Sequence, residues 1–112
     1  MNNYAVIQAD DLYHLLTETN TNPNIKPSVI LVDVRNDDEV ARGIIAGAIH
    51  IQLSQLPVQI GKLMNAHTVV FYCHSGVRSA HAADFAAGKG VTDVYNLAGG
   101  VLAWANAGHA LV

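Results

Sequence analysis

The sequence predicts an α/β fold built on a mainly parallel sheet. Short apolar runs rich in β-branched residues alternate with segments whose apolar residues recur at helical spacing. The run Val29-Ile30-Leu31-Val32-Asp33-Val34 is almost continuously apolar, as a parallel strand covered on both faces should be. In open sheets of this kind, sites lie beyond the carboxyl ends of the strands.

Taken in order, Tyr4 to Ile7 reads as a first strand. Asp10 is placed to cap a helix that carries Leu12, Leu15 and Leu16 on one face. Thr21 to Ser28 holds Pro23 and Pro27 among asparagines and reads as a loop. After the strand at Val29 to Val34, Asn36 to Arg42 suits one or two helical turns. Ala48 to Ile51 suits a short strand. Leu53, Leu56, Ile60, Leu63 and Met64 repeat at helical spacing, with Pro57 tolerable in a first turn. Thr68 to Tyr72 is the next strand, and Ser79 to Ala87 is an alanine-rich helix ended by Gly88 and Gly90. Asp93 to Leu97 is the last strand. Gly99-Gly100 then precedes a helix with Leu102 and Trp104, and the spacing leaves Gly108 to Val112 undetermined.

Length and composition set bounds. The 112 residues fit one domain, 1–112, with a core from about 4 to 107. The chain is 51% hydrophobic and 13% charged, which supports a packed core. A net charge of −3 does not favour nucleic acid or an acidic membrane as a partner. No apolar run approaches the roughly 20 residues of a membrane helix. The single cysteine excludes an internal disulfide and a cysteine-rich zinc site. The six histidines form no compact ligand set, so neither metal nor cofactor is expected. The free thiol and the absence of a secretory pattern at Met1 to Tyr4 point to a cytoplasmic protein.

The chemistry-bearing stretch is Cys73-His74-Ser75-Gly76-Val77-Arg78-Ser79, placed where a strand ends and a helix begins. A chain turning back over a few residues aims successive N–H groups inward, and a helix N-terminus adds free donors. Arg78 adds a permanent charge. A thiol there should ionise readily, and the thiolate is the nucleophile. The plainer alternative is a buried structural cysteine. The spacing is C-x4-R, one residue shorter than the C-x5-R of cysteine phosphatases. A smaller cradle suits one sulfur atom carried on the cysteine as a persulfide.

Four motifs in this order resemble the rhodanese family of sulfurtransferases. They are Asp33-Val34-Arg35 followed by Glu39, the stretch from Gly43 to Leu53, the loop residues Cys73, Gly76, Arg78 and Ser79, and Gly99-Gly100 with Trp104. The resemblance runs from about Tyr4 to about Trp104. Ile44 and Gln52 depart from it, standing where the family often has histidine and proline. The resemblance implies a single domain with a five-stranded sheet flanked by helices on both faces. It also implies a cycle in which Cys73 takes sulfur from thiosulfate or a related small anionic donor. A cyanide, thiol or protein cysteine then accepts it. Cys73 and Arg78 would be catalytic, with the N–H groups of His74 to Ser79 around the sulfur.

The other loop and rim residues each admit more than one role. His74 either helps bind an anion or faces solvent. Ser75 and Ser79 can donate hydroxyls to the persulfide, although Ser79 also suits an ordinary helix start. Gly76 supplies backbone freedom, and the resemblance implies that His74, Ser75 and Val77 take part in donor binding, at loop positions that vary between family members preferring different donors. Asp33, ending a buried strand, needs hydrogen bonds or a cation, and bonding the N–H groups of a neighbouring loop would hold the site in shape. Arg35 either pairs with Glu39 or lines the pocket mouth. Two alternatives to an enzyme of this kind are a persulfide carrier docking on a partner and, less favoured, a phosphatase or arsenate reductase. A monomer or weak dimer is expected.

Overall fold

The computed structural model describes residues 3–21 and 29–112. The elements are β1 (Ala5–Ile7), α1 (Ala9–Thr21), β2 (Val29–Asp33), α2 (Asp37–Val40), β3 (Ile49–His50), α3 (Leu56–Gln59), β4 (Thr68–Tyr72), α4 (Val77–Gly88), β5 (Val94–Leu97) and α5 (Gly100–Asn106). The strands form one five-stranded sheet in the order β1-β5-β4-β2-β3. Every pairing is parallel.

β4 lies at the centre and is buried along its whole length. Its side chains alternate between two cores, as the two-residue period of a strand requires. Val69 and Phe71 face one core with Ala82, Ala83 and Ala86 of α4 and with Leu56 and Leu63. Val70 and Tyr72 face the other, with Leu12 of α1 and Val101 and Trp104 of α5. Helices therefore cover both faces. The buried residues of α4 include three alanines, which let its backbone approach the sheet closely.

Several elements differ from the sequence-based expectation. α1 begins at Ala9, with the Leu12 N–H donating to the Gln8 carbonyl at 2.9 Å. Asp10 is thus in the first turn rather than at the cap, a position the helix dipole still favours. The expected helix from Leu53 to Met64 is three short pieces: 3-10 turns at Leu53–Gln55 and Ile60–Leu63 flank α3. Pro57 has no N–H to continue the first turn, and Gly61 weakens the last. α4 starts two residues early, so Arg78 lies within the helix. The expected loop lies, from Asn22 onward, outside the described residues.

The tail is held in place. Ile44 and Val112 exchange backbone hydrogen bonds of 3.0 and 2.8 Å, and Trp104 Nε1–H donates to the Ala110 carbonyl at 3.2 Å. Leu111 packs on the core of α1 and α5. Periodicity carries no signal for such a tail, because its partners are a loop and a tryptophan indole. No helix among the described residues is long and apolar enough to cross a membrane.

Candidate active site

The loop after β4 is shaped by where its carbonyls go. The Val101 N–H donates to the Cys73 carbonyl at 3.0 Å, and the Leu102 N–H to the His74 carbonyl at 3.2 Å. The Gly76 carbonyl accepts from the Ala80 N–H at 3.2 Å and from Asn96 Nδ2 at 3.1 Å. With these carbonyls held away, N–H groups are left to face the sulfur. Gly76 donates to Cys73 Sγ at 3.1 Å and Ser79 at 3.4 Å. Ser79 Oγ lies 3.3 Å from the same sulfur.

Two glycines make this possible. Gly76 has φ +105°, which turns the chain into α4. Gly100 has φ +56°, and a Cβ there would run into the carbonyls of both Cys73 and His74. The Gly-Gly motif therefore belongs to the site: it lets the start of α5 press against the loop and pin it.

Cys73 is 1% exposed. Burial alone pushes the thiol up, but the Ser79 hydroxyl and the N–H groups of Ser79, Gly76 and Ser75 outweigh it. The net effect lowers the Cys73 pKa from its ordinary value.

A cavity of about 320 Å³ adjoins the loop, lined by Arg35, Glu39, Arg42, His74, Arg78 and Val101. Its charges are mostly compensated. Arg78 makes a two-pronged pair with Glu39, at 2.7 and 2.9 Å. That contact, more than any other, draws the Glu39 carboxyl down to about 2. The Arg35 guanidinium folds back onto Asp33, with contacts from 2.7 to 3.1 Å, and also donates to the Gly43 carbonyl at 2.7 Å. Burial disfavours the Arg35 charge, but the bonds to Asp33 prevail and raise its pKa. Arg42 is exposed and has no ion pair among the described residues.

Several expectations are corrected here. Arg35 does not pair with Glu39; it pairs with Asp33, two residues away, while also lining the cavity. Asp33 is fully buried, and its carboxylate accepts from the Arg35 guanidinium and N–H rather than from the cysteine loop. A charge so buried needs a full counter-charge, which the guanidinium supplies. Asp33 therefore braces the segment from Arg35 to Gly43. Arg78 reaches the cavity but is already engaged by Glu39. Ser79 is no simple helix-start serine, since its hydroxyl faces the sulfur.

His74 is exposed and lines the cavity, Ser75 brings its N–H toward the sulfur, and Val77 is 65% exposed. Sequence reasoning missed Asn96 and Arg42. The signal for Asn96 was a lone amide in the apolar strand Val94-Tyr95-Asn96-Leu97, where a buried polar group must find partners. Arg42 carried no signal, because its significance comes from the pairing of the other arginines. No group of three or more histidine, cysteine, aspartate or glutamate residues among those described could hold a metal.

Comparison with known proteins places this geometry. Residues 9–107 match the family described as rhodanese-like domain. A sulfurtransferase of Allochromatium vinosum is 37% identical over 84 residues, covering 75% of this chain and 78% of that protein. A tRNA uridine(34) hydroxylase of Prochlorococcus marinus is 35% identical over 68% of this chain but only 28% of its own length. The crystal structure of a rhodanese-related protein from Thermoplasma volcanium superposes with a TM-score of 0.81 at 28% identity, covering 97% of this chain and 98% of that one. A sulfur cradled by N–H groups at the carboxyl edge of a parallel sheet, matched over most of the sequence, makes this chain a member of the rhodanese-like domain family.

Proposed function

We propose that the protein is a sulfurtransferase that carries a sulfane sulfur as a persulfide on Cys73. The observation that supports this most is the convergence of the Gly76 and Ser79 N–H groups and the Ser79 hydroxyl on one buried sulfur. In the first half-reaction the thiolate attacks the outer sulfur of thiosulfate. An S–S bond forms to Cys73, the donor's S–S bond breaks, and sulfite leaves with the electron pair. In the second, a thiophilic acceptor such as cyanide or a thiolate attacks the outer sulfur of the persulfide, and Cys73 is released as thiolate.

The cavity charges support an anionic donor. Arg35 and Arg78 are each matched by a carboxylate, so among the described residues Arg42 is the cavity guanidinium without an ion pair. Arg78 then stabilises charge locally at the loop, and Arg42 attracts the donor. Val77 and Leu102 are 65% and 48% exposed beside the loop, which suits a protein thiol approaching as acceptor. Incubation with thiosulfate and cyanide should produce thiocyanate, and Cys73→Ser should abolish it. Equal turnover by the two proteins would contradict the assignment of Cys73.

A further inference from the structure

Behind the cysteine, Ser79 Oγ stands between two acceptors. It is 3.3 Å from Cys73 Sγ and 2.6 Å from Asn96 Oδ1. A hydroxyl has one proton to donate, so it cannot serve both. The Asn96 amide is not free to turn: its Nδ2 donates to the Gly76 carbonyl at 3.1 Å, which directs Oδ1 at the serine. Ser79 is fully buried and Asn96 is 7% exposed, so both groups depend on protein partners.

We propose that Asn96 is a positioning residue that competes with the Cys73 sulfur for the Ser79 hydroxyl proton. When the sulfur is a neutral thiol, its S–H can donate to Ser79 Oγ while the hydroxyl donates to Asn96. When the thiol gives its proton to solvent, the thiolate has nothing to donate and needs donors. The hydroxyl then rotates from Asn96 to the sulfur. When a second sulfur is added, the charge moves to the outer atom, the inner sulfur is again neutral, and the hydroxyl returns to Asn96. The proton stays on Ser79 throughout. The amide acts as a brake that keeps the resting thiol from being fully activated.

This inference rests on Cys73 as the reactive sulfur, but its test reads ionisation and not sulfur transfer. The protein has one cysteine, so the ultraviolet absorbance of the thiolate, taken as the difference from Cys73→Ser to remove tyrosine ionisation, and the rate of iodoacetamide alkylation report on Cys73. Both would be followed against pH in the wild type, Ser79→Ala, Asn96→Leu and the double variant. The charged and titratable groups around the loop remain in all four: Arg78 in α4, which acts directly on the sulfur, Arg35, Glu39, Arg42 and His74 along the adjoining cavity, and Asp33 paired with Arg35. α5 contributes none of its own.

Ser79→Ala should raise the midpoint. Asn96→Leu should lower it, because the hydroxyl then has only the sulfur to serve, while the Gly76 carbonyl that loses the amide donor stays turned away by its bond from the Ala80 N–H at 3.2 Å. Below the midpoint this amounts to a roughly three- to tenfold rise in alkylation rate. The double variant should titrate like Ser79→Ala. A rise in the midpoint of Asn96→Leu, or an Asn96 effect equally large without Ser79, would overturn the proposal. If Asn96→Leu does not fold, Asn96→Asp replaces it. Its stronger acceptor should raise the midpoint, and much of that rise should disappear in the Ser79→Ala background; a rise that persists in full contradicts the proposal. Absent thiocyanate production would count against the sulfurtransferase reading while leaving this coupling intact, and an uncoupled titration would do the reverse.

Discussion

Replacing Gly100 with alanine tests whether α5 shapes the cysteine loop. At φ +56° an L-residue with a Cβ pays roughly 1–2 kcal/mol for the left-handed conformation. The new methyl would also meet the carbonyls of Cys73 and His74. Both are backbone atoms, so no side-chain rotation relieves the overlap. The helix start must back away, weakening the bonds from Val101 to Cys73 and from Leu102 to His74. Each such bond contributes about 1 kcal/mol. The total loss is about 3–4 kcal/mol, or a drop in Tm on the order of 10–20 °C for a domain of this size. The freed carbonyls can also swing toward the sulfur, so thiol ionisation should shift to higher pH. Gly47→Ala is the control: Gly47 has φ +85°, yet a Cβ there meets nothing within 4 Å. It should cost only the conformational share, about 1–2 kcal/mol, and leave the thiol unchanged. Thermal melts by circular dichroism and iodoacetamide alkylation against pH read both effects. If Gly100→Ala melts beside Gly47→Ala and its thiol titrates like the wild type, the pinning argument is wrong.

Three further perturbations address the charges. Arg35→Ala leaves the buried Asp33 carboxylate without its counter-charge and should cost about 3–5 kcal/mol in urea denaturation; a loss under about 1 kcal/mol, typical of a surface pair, would refute that picture. Glu39 is held at about 2 against an ordinary 4.5, so its pairing stabilises the fold fully above pH 4.5, and that share is lost as pH falls toward 2. The shift corresponds to ~3 kcal/mol unscreened, reduced to about 1–2 kcal/mol by the partial exposure of Arg78. Glu39→Gln should accordingly flatten the acid limb of the stability curve, and an unchanged slope between pH 4.5 and 2 would remove Glu39 from the account. Arg42→Ala should raise KM for thiosulfate several-fold while altering a neutral donor little, as steady-state kinetics with both donors would reveal; equal changes would point to a structural role.

The fold was legible because its strands announce themselves. Val29 to Asp33 and Thr68 to Tyr72 are apolar runs bounded by polar or glycine-rich segments, and both are central strands. The reactive loop was legible because its parts are contiguous: Cys73, Gly76 and Ser79 converge on the sulfur within seven residues of chain. What the sequence concealed were choices between equivalent partners. Glu39 could have met Arg35 or Arg78, and only the fold puts it opposite Arg78. Asp33 and Arg35 lie two apart, a spacing that permits a pair without requiring one. Asn96 is twenty residues from Gly76 and seventeen from Ser79, and register alone brings its amide to both. The Gly99-Gly100 pair was visible as a motif, but its purpose depends on two carbonyls from a different segment.

The central claim is that Cys73 holds transferable sulfur, and the most direct test is the mass of the intact protein before and after a sulfur donor. Thiosulfate should add the mass of one sulfur atom to the wild type and none to Cys73→Ser. Cyanide should then return the wild type to its starting mass with release of thiocyanate. An unchanged wild-type mass with every sulfur donor tried, or an equal gain in Cys73→Ser, would contradict it.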